Sequence, residues 1–133
     1  MFIIKIFLIP FLLILLSINI SNSQSIELRE ALKSTKALYN NGKLQEAIYS
    51  AINAIELSKI DFGRDHFYTA TLIENLGIIQ YESLMYENAE ASFQKVLEIR
   101  KNILKNDHTD IAEVLNFIAL SNRKLLKYDT ALN

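Results

Sequence analysis

A fixed internal offset of 42 residues runs through this sequence. Asp65-His66 recurs as Asp107-His108. At the same distance Ala70 matches Ala112, Leu76 matches Ile118, Gly77 matches Ala119, Leu84 matches Leu126, Tyr86 matches Tyr128 and Ala89 matches Ala131. In the other direction Tyr81 falls on Tyr39, Tyr86 on Leu44, Ala89 on Ala47, Leu97 on Ile55 and Glu98 on Glu56. A constant period of this size marks a solenoid, in which one unit cannot bury its apolar face alone and stacking makes the core.

The repeated unit is helical. Pro10 is the only proline, and the rest of the chain has three glycines, Gly42, Gly63 and Gly77. Strand-rich domains need more turn punctuation than that. Ala89, Phe93, Val96, Arg100 and Ile103 step by four, three, four and three, which is one helical face. Leu44, Ala47, Ala51, Ala54 and Ile55 form a second stripe, and Ile111, Val114, Leu115, Ile118 and Leu125 a third. The expected fold is all-α, an α-solenoid of antiparallel helix hairpins with about two and a half units. The hairpin turns are predicted at Asn40-Asn41-Gly42-Lys43 and Ser83-Leu84-Met85. Gly77 and Ala89 are small where the two helices of a hairpin cross, so a larger side chain there would cost about 1–3 kcal/mol. Phe93 and Val96 are expected to reach into the next unit. Asp110 and Glu113 have the spacing of a capping box for the third unit's first helix.

Residues 70–99, ATLIENLGIIQYESLMYENAEASFQKVLEI, resemble a tetratricopeptide repeat. Leu76-Gly77, Tyr81, Tyr86, Ala89, Phe93 and Val96 stand at that motif's Leu-Gly, aromatic, aromatic, Ala, aromatic and small positions. The period of 42, against the usual ~34, and the Asp-His before the next helix are similar to the kinesin-light-chain type. The likeness covers about residues 28–132. It is weaker in the first unit, where Ser34-Thr35 replaces Leu-Gly and Ala51 the aromatic. The proline that follows His in that type is replaced by Phe67 and Thr109.

The first two dozen residues follow a different rule. Lys5 is the only charge before Glu27, and Ile6 to Ile20 is almost wholly aliphatic or aromatic. Ser21-Asn22-Ser23 follows, small and polar. One cation, a short apolar core and a small-residue exit describe a secretory signal peptide cleaved after Ser23. The competing reading is a membrane anchor, although a spanning helix needs ~20 apolar residues and this run has fifteen. Residues 1–23 are thus read as signal peptide or anchor and 26–133 as the repeat domain. Its units lie at about 28–65, 70–107 and 112–133, the last truncated just inside its second helix. Localisation is expected to be exported, periplasmic or secreted, or membrane-anchored if the segment is retained.

Composition narrows the chemistry. The 133 residues hold 14 Lys+Arg and 15 Asp+Glu, so nothing favours nucleic acid. There is no cysteine, which excludes disulfides and thiolate chemistry. No phosphate-binding Gly-rich loop, Gly-x-Ser-x-Gly or His-Glu-x-x-His occurs. Asp65-His66 and Asp107-His108 occupy one repeat position, so they are read as turn or cap residues rather than as metal ligands. The charges of the second unit's second helix, Arg100 among them, are read as a solvated face. Neither an enzyme, a cofactor nor a metal is expected.

What remains is a surface. The resemblance implies that the first helices of each unit line a concave groove for a partner segment. Arg29, Lys33, Lys36 and Asn40 in the first unit, Glu74, Asn75, Ile78 and Tyr81 in the second, and Asn116, Leu120 and Arg123 in the third are the candidate partner-binding residues. Asn75 corresponds to the family's groove asparagine, and Phe117 interrupts that series. Arg29, Lys33 and Lys36 make a basic stripe that would favour an acidic protein or peptide segment. Membrane contact is expected only through the N-terminal segment. The alternative is the regulatory repeat region of a longer secreted or membrane signalling or protease-like enzyme.

Overall fold

The short links between apolar stripes leave the chain one way to bury them, by folding each helix back on the one before. The computed structural model describes residues 26–104 and 108–132, with side-chain surroundings through Lys127. Helix α1 covers residues 26–40, α2 Leu44–Asp61, α3 Phe67–Glu82, α4 Tyr86–Ile103 and α5 Thr109–Leu132. No strand occurs among the described residues. The expected signal peptide or anchor at 1–23 and Asp107, read as a turn or cap residue, lie outside them.

Both hairpin turns close in the same way. Gly42 N–H bonds the Tyr39 carbonyl and Lys43 N–H the Leu38 carbonyl. One period on, Leu84 bonds Tyr81 and Met85 bonds Gln80. This is the Schellman arrangement, which satisfies the last carbonyls of a helix with a left-handed residue. Gly42 has φ 71° and Leu84 has φ 63°. Glycine adopts that conformation freely, whereas leucine does so at a cost of about 1–2 kcal/mol.

The third turn does not form. At the equivalent position Leu125-Leu126-Lys127 continues α5, which is one helix of 24 residues. These are good helix formers with no glycine. The expected start of a third hairpin is corrected accordingly.

Alternation of direction gives the array two edges. The starts of α1, α3 and α5 and the ends of α2 and α4 share one, where Ser58 of α2 meets Thr69 of α3 at 2.8 Å. The hairpin turns share the other, where Tyr39 bonds Glu82 at 3.0 Å and Gln45 meets Met85. Close helix crossings are lined with Ala47, Ala70 and Ala89, all fully buried. α2 and α4 are 18 residues each, against 16 in α3.

Several side chains depart from expectation. Arg100 is 3% exposed rather than solvated. Its two terminal nitrogens donate to both Glu74 oxygens, at 2.9 and 2.7 Å, and one also reaches the Asp110 carbonyl at 3.2 Å. The Phe67 ring lies 5.4 Å from the guanidinium carbon. One residue thus ties α3, α4 and α5 together, in line with its place on the apolar spacing. Leu115 leaves the third stripe and is 46% exposed, because the face of α5 it occupies carries no further helix among the described residues. The capping box at Asp110 is replaced by His108, whose Nδ1 accepts from Asp110 N–H at 3.2 Å. His66 does the same for Tyr68 at 3.1 Å. Both described histidines are therefore helix caps.

Candidate functional site

The two places where first helices lie side by side differ in what fills them. Between α3 and α5, Phe93 of α4 stacks on Phe117, with ring centroids 4.9 Å apart and planes 12° from parallel. Phe93 is fully buried. It reaches the next unit as expected and also closes on its own hairpin, where a Cβ on Gly77 would come within 2.7 Å of its ring. Glycine is what makes room for that ring.

One period earlier every partner changes. Phe93 becomes Ala51, Phe117 becomes Asn75, and Gly77 becomes Thr35. Thr35 turns its hydroxyl to the Ala31 carbonyl at 2.8 Å and to Ser50 at 2.9 Å. With no ring between α1 and α3, a hollow of about 460 Å³ opens. Leu32, Thr35, Lys36 and Tyr39 of α1 form one wall, Leu72, Asn75, Ile78 and Ile79 of α3 the other, and Ala51 and Ala54 of α2 the floor. The walls are mostly apolar; Lys36, Asn75 and the Tyr39 phenol supply the polar groups.

Among the residues expected at the surface, the hollow brings together Lys36, Asn75 and Ile78. Arg29, Lys33 and Asn40 are exposed on α1 beside it. Tyr81 is half-buried and packs edge-on against Tyr86 at 5.2 Å, away from the opening. Asn116 and Arg123 are exposed on α5 and Leu120 is half-buried there, one interface away. Glu74 does not face a partner, being bound to Arg100. The apolar lining, Leu32, Tyr39, Leu72 and Ile79, was missed. Its sequence signal was the departure at Ala51 and Thr35, legible as a missing aromatic but not as an opening.

No group of three or more His, Asp or Glu side chains capable of holding a metal occurs among the described residues. None of the described helices is long and apolar enough to cross a membrane. The phenol of Tyr39 is held above its ordinary value, chiefly because it donates a hydrogen bond to Glu82, with burial and the charge of that carboxylate adding to it.

Residues 36–102 match the family profile described as tetratricopeptide repeat. That is half of the chain, from the middle of α1 through α4. The chain belongs to the tetratricopeptide repeat family. No curated protein sequence matches it. Tetratricopeptide repeats generally mediate protein–protein interaction, and such domains are typically non-catalytic.

Proposed function

We propose that this tetratricopeptide repeat chain is a non-catalytic interaction module, exported or membrane-anchored, that holds a partner segment across α1 and α3. The 42-residue period supports reading it as similar to the kinesin-light-chain type. A bulky apolar side chain of the partner enters the hollow, and acidic groups beside it meet Lys36, Lys33 and Arg29. The observation that carries this reading is the hollow itself, open where the next interface is closed by Phe93 and Phe117. The three cations lie at spacings of four and three on one side of α1, and all are exposed.

The test is binding of labelled peptides with one bulky apolar residue flanked by Asp or Glu, followed by anisotropy. Replacing Arg29, Lys33 and Lys36 together by Glu should abolish binding and leave helicity unchanged. Raising salt from about 50 to 500 mM should weaken it, because the Debye length is ~10 Å at 0.1 M and shortens as salt rises. A peptide that binds equally well through both changes refutes the charge component.

A second reading, the regulatory repeat region of a longer secreted or membrane signalling or protease-like enzyme, draws on α5. Leu115 and Leu126 are 46% and 67% exposed there, and terminal repeats need a polar outer face for solubility. A transcript that continues in frame into a catalytic domain would favour it.

A further inference from the structure

The two edges of the array differ in character. The edge holding the starts of α1 and α3 and the ends of α2 and α4 exposes Ile26, Ile60, Phe62, Phe67 and Ile103, each between 38% and 61%. Arg64 and Lys101 stand exposed among them, with the carboxylates of Glu27 and Asp65, and the start of α5 adds His108 and Thr109 to this edge. The turn edge is polar by comparison: Asn40, Asn41, Lys43, Glu46, Glu82 and Glu87 are exposed there, with Leu84 the large apolar side chain of its turns.

The apolar edge is also where the N-terminal run joins the fold. Six peptide steps lead from Ile20, the end of that run, to Ile26, the first residue of α1. Fully extended they span at most ~22 Å. An 18-residue helix such as α2 or α4 is ~27 Å long. Any surface that takes up residues 6–20 therefore has the apolar edge within reach, while the turn edge lies a helix length beyond. Fifteen residues are short for a span that needs ~20. A second apolar contact with the same bilayer would add to the attachment that so short a run provides.

We propose that this edge is the second signal: a lipid-facing rim on which Ile26, Ile60, Phe62 and Ile103 enter the headgroup region beside the inserted N-terminal run. The array then stands on the bilayer by its helix ends, and the hollow between α1 and α3 opens to the side. The proposal rests on the anchored reading of the N-terminus, and it assigns the occupant of the edge as lipid rather than protein.

The chain contains no tryptophan, so single probes report without background. The full chain carrying Ile60→Trp, Ile103→Trp or, as control, Leu84→Trp is mixed with vesicles of phosphatidylcholine and phosphatidylglycerol with brominated acyl chains. Circular dichroism checks that each variant is folded. Emission at 60 and 103 should shift to the blue and be quenched by the bromines, while emission at 84 should do neither. If the chain floats with the vesicles but the probes at 60 and 103 behave like that at 84, the anchor stands and the lipid-facing edge is refuted. If the chain does not float at all, the anchored reading fails and the edge with it. A blue shift at 60 without vesicles, growing with protein concentration, would show that a second copy covers the edge and would also overturn the proposal.

Discussion

The interfaces α1–α3 and α3–α5 are built at equivalent positions and are solved in opposite ways. In the second, a ring from α4 is driven between the two first helices and stacked on Phe117, with Gly77 clearing its path. In the first, Ala51 and Asn75 stand where the second has Phe93 and Phe117, and the missing rings leave a hollow. The outer parts of the two interfaces differ in the same sense. Ser58 and Thr69 share a short hydroxyl contact in the first, whereas its equivalent Arg100 fills the second and chelates Glu74. A repeat protein can thus keep one backbone plan while assigning stability to one interface and an opening to the other.

The sharpest way to break that contrast is Phe93→Ala. It removes the ring that makes the second interface solid, and truncating a buried Phe costs about 3–5 kcal/mol. Chemical denaturation should show a loss of that size, while Ala51→Gly in the first interface should cost only about 1 kcal/mol. Equal losses would mean that the two interfaces are packed alike.

The reverse experiment tries to close the hollow. Ala51→Phe alone sets the new ring against Thr35, at the position where even the methyl of an alanine would collide with Phe93 in the second unit. Overpacking of this kind costs about 1–3 kcal/mol. Adding Thr35→Gly should recover most of that loss and remove peptide binding at the same time. If the double variant is no more stable than the single one, Thr35 and Gly77 are not equivalent in space.

Leu84 and Gly42 compare the two turns at the next level down. Leu84→Gly should stabilise the fold by about 0.5–1 kcal/mol, since it relieves a left-handed leucine. Gly42→Ala should cost about 1 kcal/mol, with open space around the new methyl leaving backbone strain as the only cause. A thermal midpoint that moves the same way in both variants would contradict the two φ values.

How much of this could be read beforehand depends on whether a feature is local. The helices of both hairpins follow from spacing, and their turns from Gly42 and its repeat partner, because capping is decided within a few residues. The continuous α5 was not legible: Leu126 matches Leu84 in the repeat, yet Leu125-Leu126-Lys127 suit a helix interior equally well. Arg100 carried contradictory signals, charge pointing outward and spacing inward. Burial prevailed because Glu74 stands one helix away to receive it, which a single helix cannot reveal. The hollow was the least legible of all. It is defined by what Ala51 and Asn75 lack together, and they belong to different helices.

The smallest effect concerns a polar bond that bridges α1 and α3 at the turn edge of the open interface. Tyr39 donates to Glu82 at 3.0 Å; the equivalent positions in the second interface are Tyr81 and Lys124, and Tyr81 instead packs against Tyr86. The bond raises the Tyr39 phenol above its usual 10.0. A folded-state value raised above the unfolded one means that the stabilisation is fully present below pH 10. It is lost as pH climbs through the folded value, since ionised Tyr39 can no longer donate and repels Glu82. The increment should be below about 1 kcal/mol for a bond at the surface. Subtracting the stability of Tyr39→Phe from that of the parent, from pH 8 upward, cancels the other tyrosines. That difference should hold steady up to about pH 10 and shrink above it. A difference that stays level well above pH 10 would overturn the raised phenol.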